Sequence, residues 1–194
     1  EGTTDITRTI HLGTPTTDQK KHYTLVLKGH LALRHVPFPD GACGEHVNTI
    51  ARQPLWEAGL DFGHGTGHGV GCYLCVHEGP QRIGPRGSDE PLQAGMVVSN
   101  EPGYYEEGWG GIRLENLYVI ERDDDMPPHP SGKRWLRLDT LTLIPFDNHL
   151  IEWSQLTEAE RSWLARYYEQ VEETIGPLLS GADRAWLREA CGLP

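Results

Sequence analysis

Residues 61–71 read DFGHGTGHGVG, five glycines in one short run. Glycine loses more chain entropy on folding than any other residue, so this stretch cannot hold a helix. It also lets backbone come closer to other groups than a Cβ would allow. The chain must break here into loop or short extended pieces, with regular elements before and after. Ahead of it, residues 5–12 (DITRTIHL) are rich in β-branched types and predict a strand. Residues 17–35 start with a Thr or Asp cap and lack proline, which predicts a helix. Residues 44–59 predict a second helix ending at Gly59, with Pro54 as a kink point. Beyond the glycines, residues 72–120 read as strands separated by turns, clearest at 96–101 and 112–120. Residues 121–132 (ERDDDMPPHPSG) predict an exposed acidic loop, and 135–144 another strand. Two closing helices are expected at 155–175 and 181–190. In the first, Leu156, Trp163, Leu164, Tyr167, Tyr168 and Val171 keep near-helical spacing and read as core or a subunit contact. Helices, then a block of strands, then helices is an α+β order.

The 194 residues are 37% hydrophobic and 23% charged, the balance of a globular domain. The net charge of −11 argues against a nucleic-acid or anionic-membrane partner and suits cationic ligands such as free amino termini. No run approaches the ~20 apolar residues of a membrane span. The chain opens at Glu1 rather than Met, directly into an expected strand, and reads as part of something longer. Cys72 and Cys75 form a C-x-x-C, either half a zinc or redox site or two small residues on a strand. No second C-x-x-C exists and no helix start follows, so the second reading is taken, in a reduced, cytoplasmic protein.

The residues able to carry chemistry fall in three groups. Glu101 and Glu115 are symmetric about the turn-like EEGWGG, so pairing of 96–101 with 112–120 would set them face to face. Facing residues have Cβ atoms ~4.5–5.5 Å apart, and like charges that close need a cation between them. Arg113, on the same face as Glu115 by period two, is the competing neutraliser. The alternative is two glutamates on a solvated face. His64, His68 and His77 form the second group. An extended run of four residues spans ~13 Å, so His64 and His68 should hold different roles. Taken alone, Asp5 reads as a cap or turn residue.

Together the motifs resemble a known family. HGTGHGVGCYLCVHEGP (64–80), PLQAGMVVSNEPGYY (91–105) and GIRLENL (111–117) resemble consecutive signatures of the aminopeptidase P, or Xaa-Pro aminopeptidase, branch of the pita-bread (creatinase-like) metallopeptidases, family M24. EGTTDITRT (1–9) resembles the strand that carries that family's aspartate ligands, and 141–164 its cytosolic C-terminal segment. The resemblance implies a pita-bread fold: a curved antiparallel sheet covered by helices, with a core over about 1–145 and a helical segment over 146–194. It implies two divalent ions, manganese first, with zinc or cobalt as alternatives. The implied ligands are Asp5, His68, Glu101 and Glu115. Glu101, His77 and His64 would act in catalysis, and His64, His77 and Arg113 in substrate binding. The family's first aspartate precedes the stretch matching EGTTD, so that ligand and the smaller N-terminal domains are expected upstream of Glu1. Glu1 itself is ~13 Å from Asp5 along a strand, too far to substitute.

The implied activity is hydrolysis of an N-terminal Xaa-Pro bond by a metal-activated water. The partners would be peptides with proline second, with neither nucleic acid nor membrane, and a homodimer through the C-terminal helices. Prolidase and creatinase share the fold, and a metal-free peptide- or protein-binding pita-bread module is the rival from another class.

Overall fold

The computed structural model describes residues 2–192, so Glu1, weighed above as a ligand, lies outside the described residues. The chain divides into two compact units, Glu1–Thr7 with Val26–Thr142, and Arg8–Leu25 with Leu143–Pro194. The element order is β1 (Thr7–Arg8), α1 (Thr17–His35), β2 (Phe38–Pro39), α2 (Gly44–Glu57), β3 (Gly67–His68), β4 (Arg82–Ile83), β5 (Val97–Asn100), β6 (Gly103–Glu106), β7 (Gly110–Arg122), β8 (Trp135–Thr140), α3 (Glu158–Ile175) and α4 (Gly181–Ala190). No helix among the described residues is long and apolar enough to cross a membrane.

The first unit is organised on β7. Its thirteen residues run along a six-stranded sheet ordered β1-β7-β8-β2, with β5 and β6 both paired antiparallel to β7. Alternate inward residues of β7 and β8, Tyr118, Ile120, Leu136 and Leu138, bury a face with Val98, Leu33, Val47 and Ala51. Burying each such side chain stabilises by roughly 1.5–3 kcal/mol, enough to fix the register. Helices α1 and α2 cross closely at Gly29, where a Cβ would collide with the Ala51 carbonyl oxygen. Helix α2 accommodates Pro54 internally and ends at Glu57, two residues before the expected Gly59.

The start of α1 is fixed by a reciprocal cap. The Gln19 amide donates to Thr16 Oγ1 at 3.2 Å, and the Thr16 amide to Gln19 Oε1 at 2.8 Å. In the second unit, Thr157 and Glu160 form the same box at the head of α3. The apolar stripe predicted there is buried, with Trp163 stacked on Tyr167 at 5.0 Å. The Arg8 guanidinium lies 4.2 Å over the Phe146 ring and donates to the Ile144 and Pro145 carbonyls.

Three expectations change. The strand expected over 5–12 shrinks to Thr7–Arg8, because Ile10 and Leu12 are exposed and the His11 amide bonds the Asp147 carboxylate rather than a strand. Propensity without a partner strand does not make one. The strand over 135–144 stops at Thr140, where the Thr142 hydroxyl takes the Leu117 amide that a ladder carbonyl would have taken. Cys72 and Cys75 are exposed free thiols in a loop, not on a strand.

Candidate metal centre

The glycine-rich segment places His68 by what it lacks. A Cβ at Gly67 would collide with the Ser99 carbonyl, and one at Gly69 with the Glu78 carbonyl. The missing side chains let β3 lie against β5, with Gly69 bridged to Val98. The His68 amide donates to Ser99 Oγ at 3.0 Å, and that hydroxyl donates to Glu101 Oε1 at 3.3 Å. One serine on β5 thus ties His68 on β3 to Glu101 just past the end of β5.

Glu101 stands between β5 and β6. Asn100 faces Asn116 and Gly103 faces Arg113 across β7, so the register sets Glu101 opposite Glu115. The facing arrangement expected from the turn is therefore found, although the partner strand is interrupted at Glu101 and Pro102. The Glu101 amide donates to the Thr66 carbonyl at 2.7 Å, tying the break to the glycine-rich segment. Glu115 is 2% exposed and accepts from the Thr7 hydroxyl, which in turn accepts from Arg113 Nε at 3.1 Å.

Four of the predicted residues converge. His68 Nε2 lies 3.3 Å from Asp5 Oδ2 and 3.3 Å from Glu101 Oε1. Ligand atoms of His68, Glu101 and Glu115 all fall within 4.8 Å of one another, and so do those of Asp5, His68 and His77. His77 therefore stands within ligating range as well as at the cavity wall, its ring 4.2 Å from that of His68. On the far side of the His68 ring, Nδ1 is 3.0 Å from the Gly69 carbonyl. A carbonyl only accepts, so Nδ1 carries a proton. In the neutral ring Nε2 then turns a lone pair toward two carboxylates, an arrangement that a bound cation would resolve. A backbone carbonyl orienting the distal N–H is also the usual setting of a metal-bound histidine.

The electrostatics agree. Burial, then the Glu115 charge, pushes the Glu101 carboxyl up to about 7 against Arg113, with Asp5 adding to the rise. Burial also raises Glu115, although the Thr7 hydrogen bond and Arg113 work the other way. Three oxygen donors and one imidazole fit a manganese-type divalent ion.

His64 stands apart from this cluster. Its Nε2 is 2.9 Å from the Tyr105 hydroxyl, and its ring lies 5.0 Å from Phe62 and 5.3 Å from Tyr105. Burial holds it below the usual histidine range, and the charges of Arg113 and Arg52 add to this. Arg113 NH1 reaches the same Tyr105 hydroxyl at 3.4 Å. His64, His68, His77, Glu101 and Arg113 line one cavity of about 570 Å³.

Sequence reasoning missed Thr7, Tyr105 and Arg52. Tyr105 had a usable signal, four residues after Glu101 in the same motif. Thr7 had the weaker one of sharing Asp5's strand. Arg52 had none. It is 4% exposed and donates to Asn48, Asp61 and the Phe62 and His64 carbonyls, so it holds the loop that carries His64.

Comparison with known proteins places these residues in context. Residues 1–122 match the family model of metallopeptidase family M24, and residues 134–192 that of the C-terminal region of peptidase M24. A probable Xaa-Pro aminopeptidase P of Laccaria bicolor is 46% identical over 98% of this chain and 30% of its own length. Aminopeptidase P1 of Arabidopsis thaliana is 45% identical, again over 98% of this chain and 30% of its own. The chain thus spans about 30% of the length of these curated relatives. Among solved structures, an X-prolyl aminopeptidase of Caenorhabditis elegans, described as a cytosolic enzyme with a di-nuclear active site, superposes with a TM-score of 0.89. It is 42% identical and covers 98% of this chain and 31% of its own. Prolidase from Pyrococcus furiosus superposes with a TM-score of 0.56 at 37% identity, over 61% of this chain and 34% of its own. The α+β pita-bread architecture implied by the motifs is the one these structures share with this chain.

Proposed function

Because the chain belongs to metallopeptidase family M24, we propose that it is the catalytic part of a metallo-aminopeptidase that removes an N-terminal residue standing before proline. The observation that carries this reading is the convergence of Asp5, Glu101 and Glu115 on His68, in two candidate ligand groups that share its ring. The relatives named as Xaa-Pro aminopeptidases, at 46% identity over nearly the whole chain, support it over a prolidase. We assign those four side chains as ligands to two divalent ions, manganese first. Residues 1–145 form the catalytic core and 146–194 a helical segment through which a cytoplasmic homodimer would assemble. A further aspartate ligand and smaller domains would come from chain preceding Glu1.

When bound, such ions supply Lewis acidity toward water and toward the scissile carbonyl near neutral pH. The chain's own residues would do the rest. Glu101, beside the bound water, takes the proton of the attacking water and passes it to the departing proline nitrogen. That nitrogen belongs to a tertiary amide with no N–H of its own. His77, exposed on the cavity wall, donates to the carbonyl oxygen as negative charge develops there. His64 and the Tyr105 ring give the proline ring an aromatic wall, and Arg113 holds Thr7 and Tyr105 in place.

The test is an assay of the full-length protein with manganese on Arg-Pro-Pro and on an Xaa-Pro dipeptide. Release of arginine from the tripeptide is expected, with the dipeptide a poor substrate. Unchanged tripeptide turnover after Glu101→Ala would remove the mechanism, and a preference for the dipeptide would transfer the reading to prolidase.

A further inference from the structure

Arg82 stands out among the cations of this site. It faces His68 directly in the β3–β4 pair, so the two side chains leave the same face of the ribbon. It lines the cavity that His68 and Glu101 also line. Arg52, Arg113 and Arg137 each have a carboxylate within 4.0 Å. Arg82 has no ion pair or hydrogen bond from its side chain among the described residues. The floor beneath it is bare. A Cβ at Gly65, Gly84 or Gly87 would stand 3.8, 3.6 or 3.8 Å from its guanidinium nitrogens, and none is there. Of the lining carboxylates, Glu101 stands in the cluster with His68 and Glu115, and Glu78 is the other; of the lining guanidiniums, Arg113 meets Glu115 and Arg82 is exposed and unpaired among the described residues.

We propose that Arg82 is a specificity-determining residue that draws a carboxylate of the peptide substrate to the rim of the cavity. This rests on the peptidase reading above. A peptide's ammonium group is repelled by a guanidinium and is held toward the carboxylates around His68. The portion beyond the proline then runs out toward Arg82. The carboxylate comes from one of two sources, the free C-terminus of a short peptide or an acidic side chain beyond the proline. Arginine presents a planar fork that matches either one.

The experiment uses the full-length manganese-loaded protein and two substrate pairs. Ala-Pro-Ala is compared with its C-terminal amide, and the amide of Ala-Pro-Glu-Ala with that of Ala-Pro-Gln-Ala. The readout is the ratio of kcat/KM within a pair, from which any loss of folded enzyme cancels. The wild type should favour the carboxylate member of at least one pair about three- to fivefold, the scale of a solvent-exposed ion pair. The preference should shrink as salt rises. The pair that shows it identifies the source. Arg82→Gln should bring the ratio to about one, Arg82→Lys should retain part of it, and Arg82→Glu should turn it against the carboxylate member. A wild-type ratio near one in both pairs, or a ratio unmoved by Arg82→Gln and Arg82→Glu, overturns the proposal. If the wild type cleaves none of the four peptides, it is the peptidase reading that fails.

Discussion

At residues 61–64 a buried arginine is surrounded by acceptors, whereas at residue 68 a histidine is surrounded by carboxylates. The Arg52 guanidinium meets Asp61 at 2.7 Å and the Phe62 carbonyl at 2.7 Å, and lies 3.9 Å over the Phe62 ring. Every charge in that cluster is answered by the chain itself. Around His68, Asp5, Glu101 and Glu115 crowd together, and Glu115 meets the Arg113 guanidinium at a loose 4.0 Å. Both clusters draw charge out of water, but only the first is complete. A buried charge network that closes on itself reads as structure. One that leaves negative charge in excess and lifts a carboxyl to about 7 reads as a seat for a cation.

If that contrast holds, breaking the two clusters has opposite effects on stability. Arg52→Met should cost about 2–4 kcal/mol, because the Phe62 and His64 carbonyls lose their donor while Asp61, 54% exposed, is rehydrated. Urea unfolding of the full-length protein measures it, and a loss under about 1 kcal/mol would show that Arg52 is not the clamp. Glu101→Gln should do the reverse in the metal-free protein. The folded-state value of about 7 lies above the ordinary 4.5, so folding favours the protonated acid. The associated cost is absent below pH 4.5, grows as pH rises toward 7 and is full above it. Neutralising the group should thus gain up to about 3 kcal/mol at pH 8 and little at pH 4. A chelated Glu101→Gln protein less stable than wild type at pH 8 would contradict the excess-charge account. The smallest effect concerns Thr7, which holds Glu115 in place. Thr7→Val should weaken manganese binding about 10- to 100-fold while Thr7→Ser retains most of it. Equal affinities by manganese titration would show that the hydroxyl does not orient the carboxylate.

What the sequence made legible follows from how locally each feature is encoded. The Glu101–Glu115 juxtaposition was readable because a single turn sets the register on both sides of it. The core stripe of α3 was readable because helical spacing repeats within one element. The ligand roles of Asp5 and His68 came only through motif resemblance, since nothing near them in sequence says that 63 residues apart they meet at 3.3 Å. Arg52 was unreadable for the same reason without the help of a motif: two of its four acceptors are backbone carbonyls, which leave no mark in composition. The strand over 5–12 was overread because β-branched residues state a preference, and the partner strand decides.

The central claim is that Asp5, His68, Glu101 and Glu115 share bound cations. The direct test is manganese content of the full-length protein at equilibrium, wild type against His68→Ala, with circular dichroism to confirm that both are folded. The account predicts tight binding of about two ions per chain in the wild type and marked loss in the variant, as expected when an inner ligand is removed. Folded His68→Ala protein that holds the same manganese with the same affinity would contradict it.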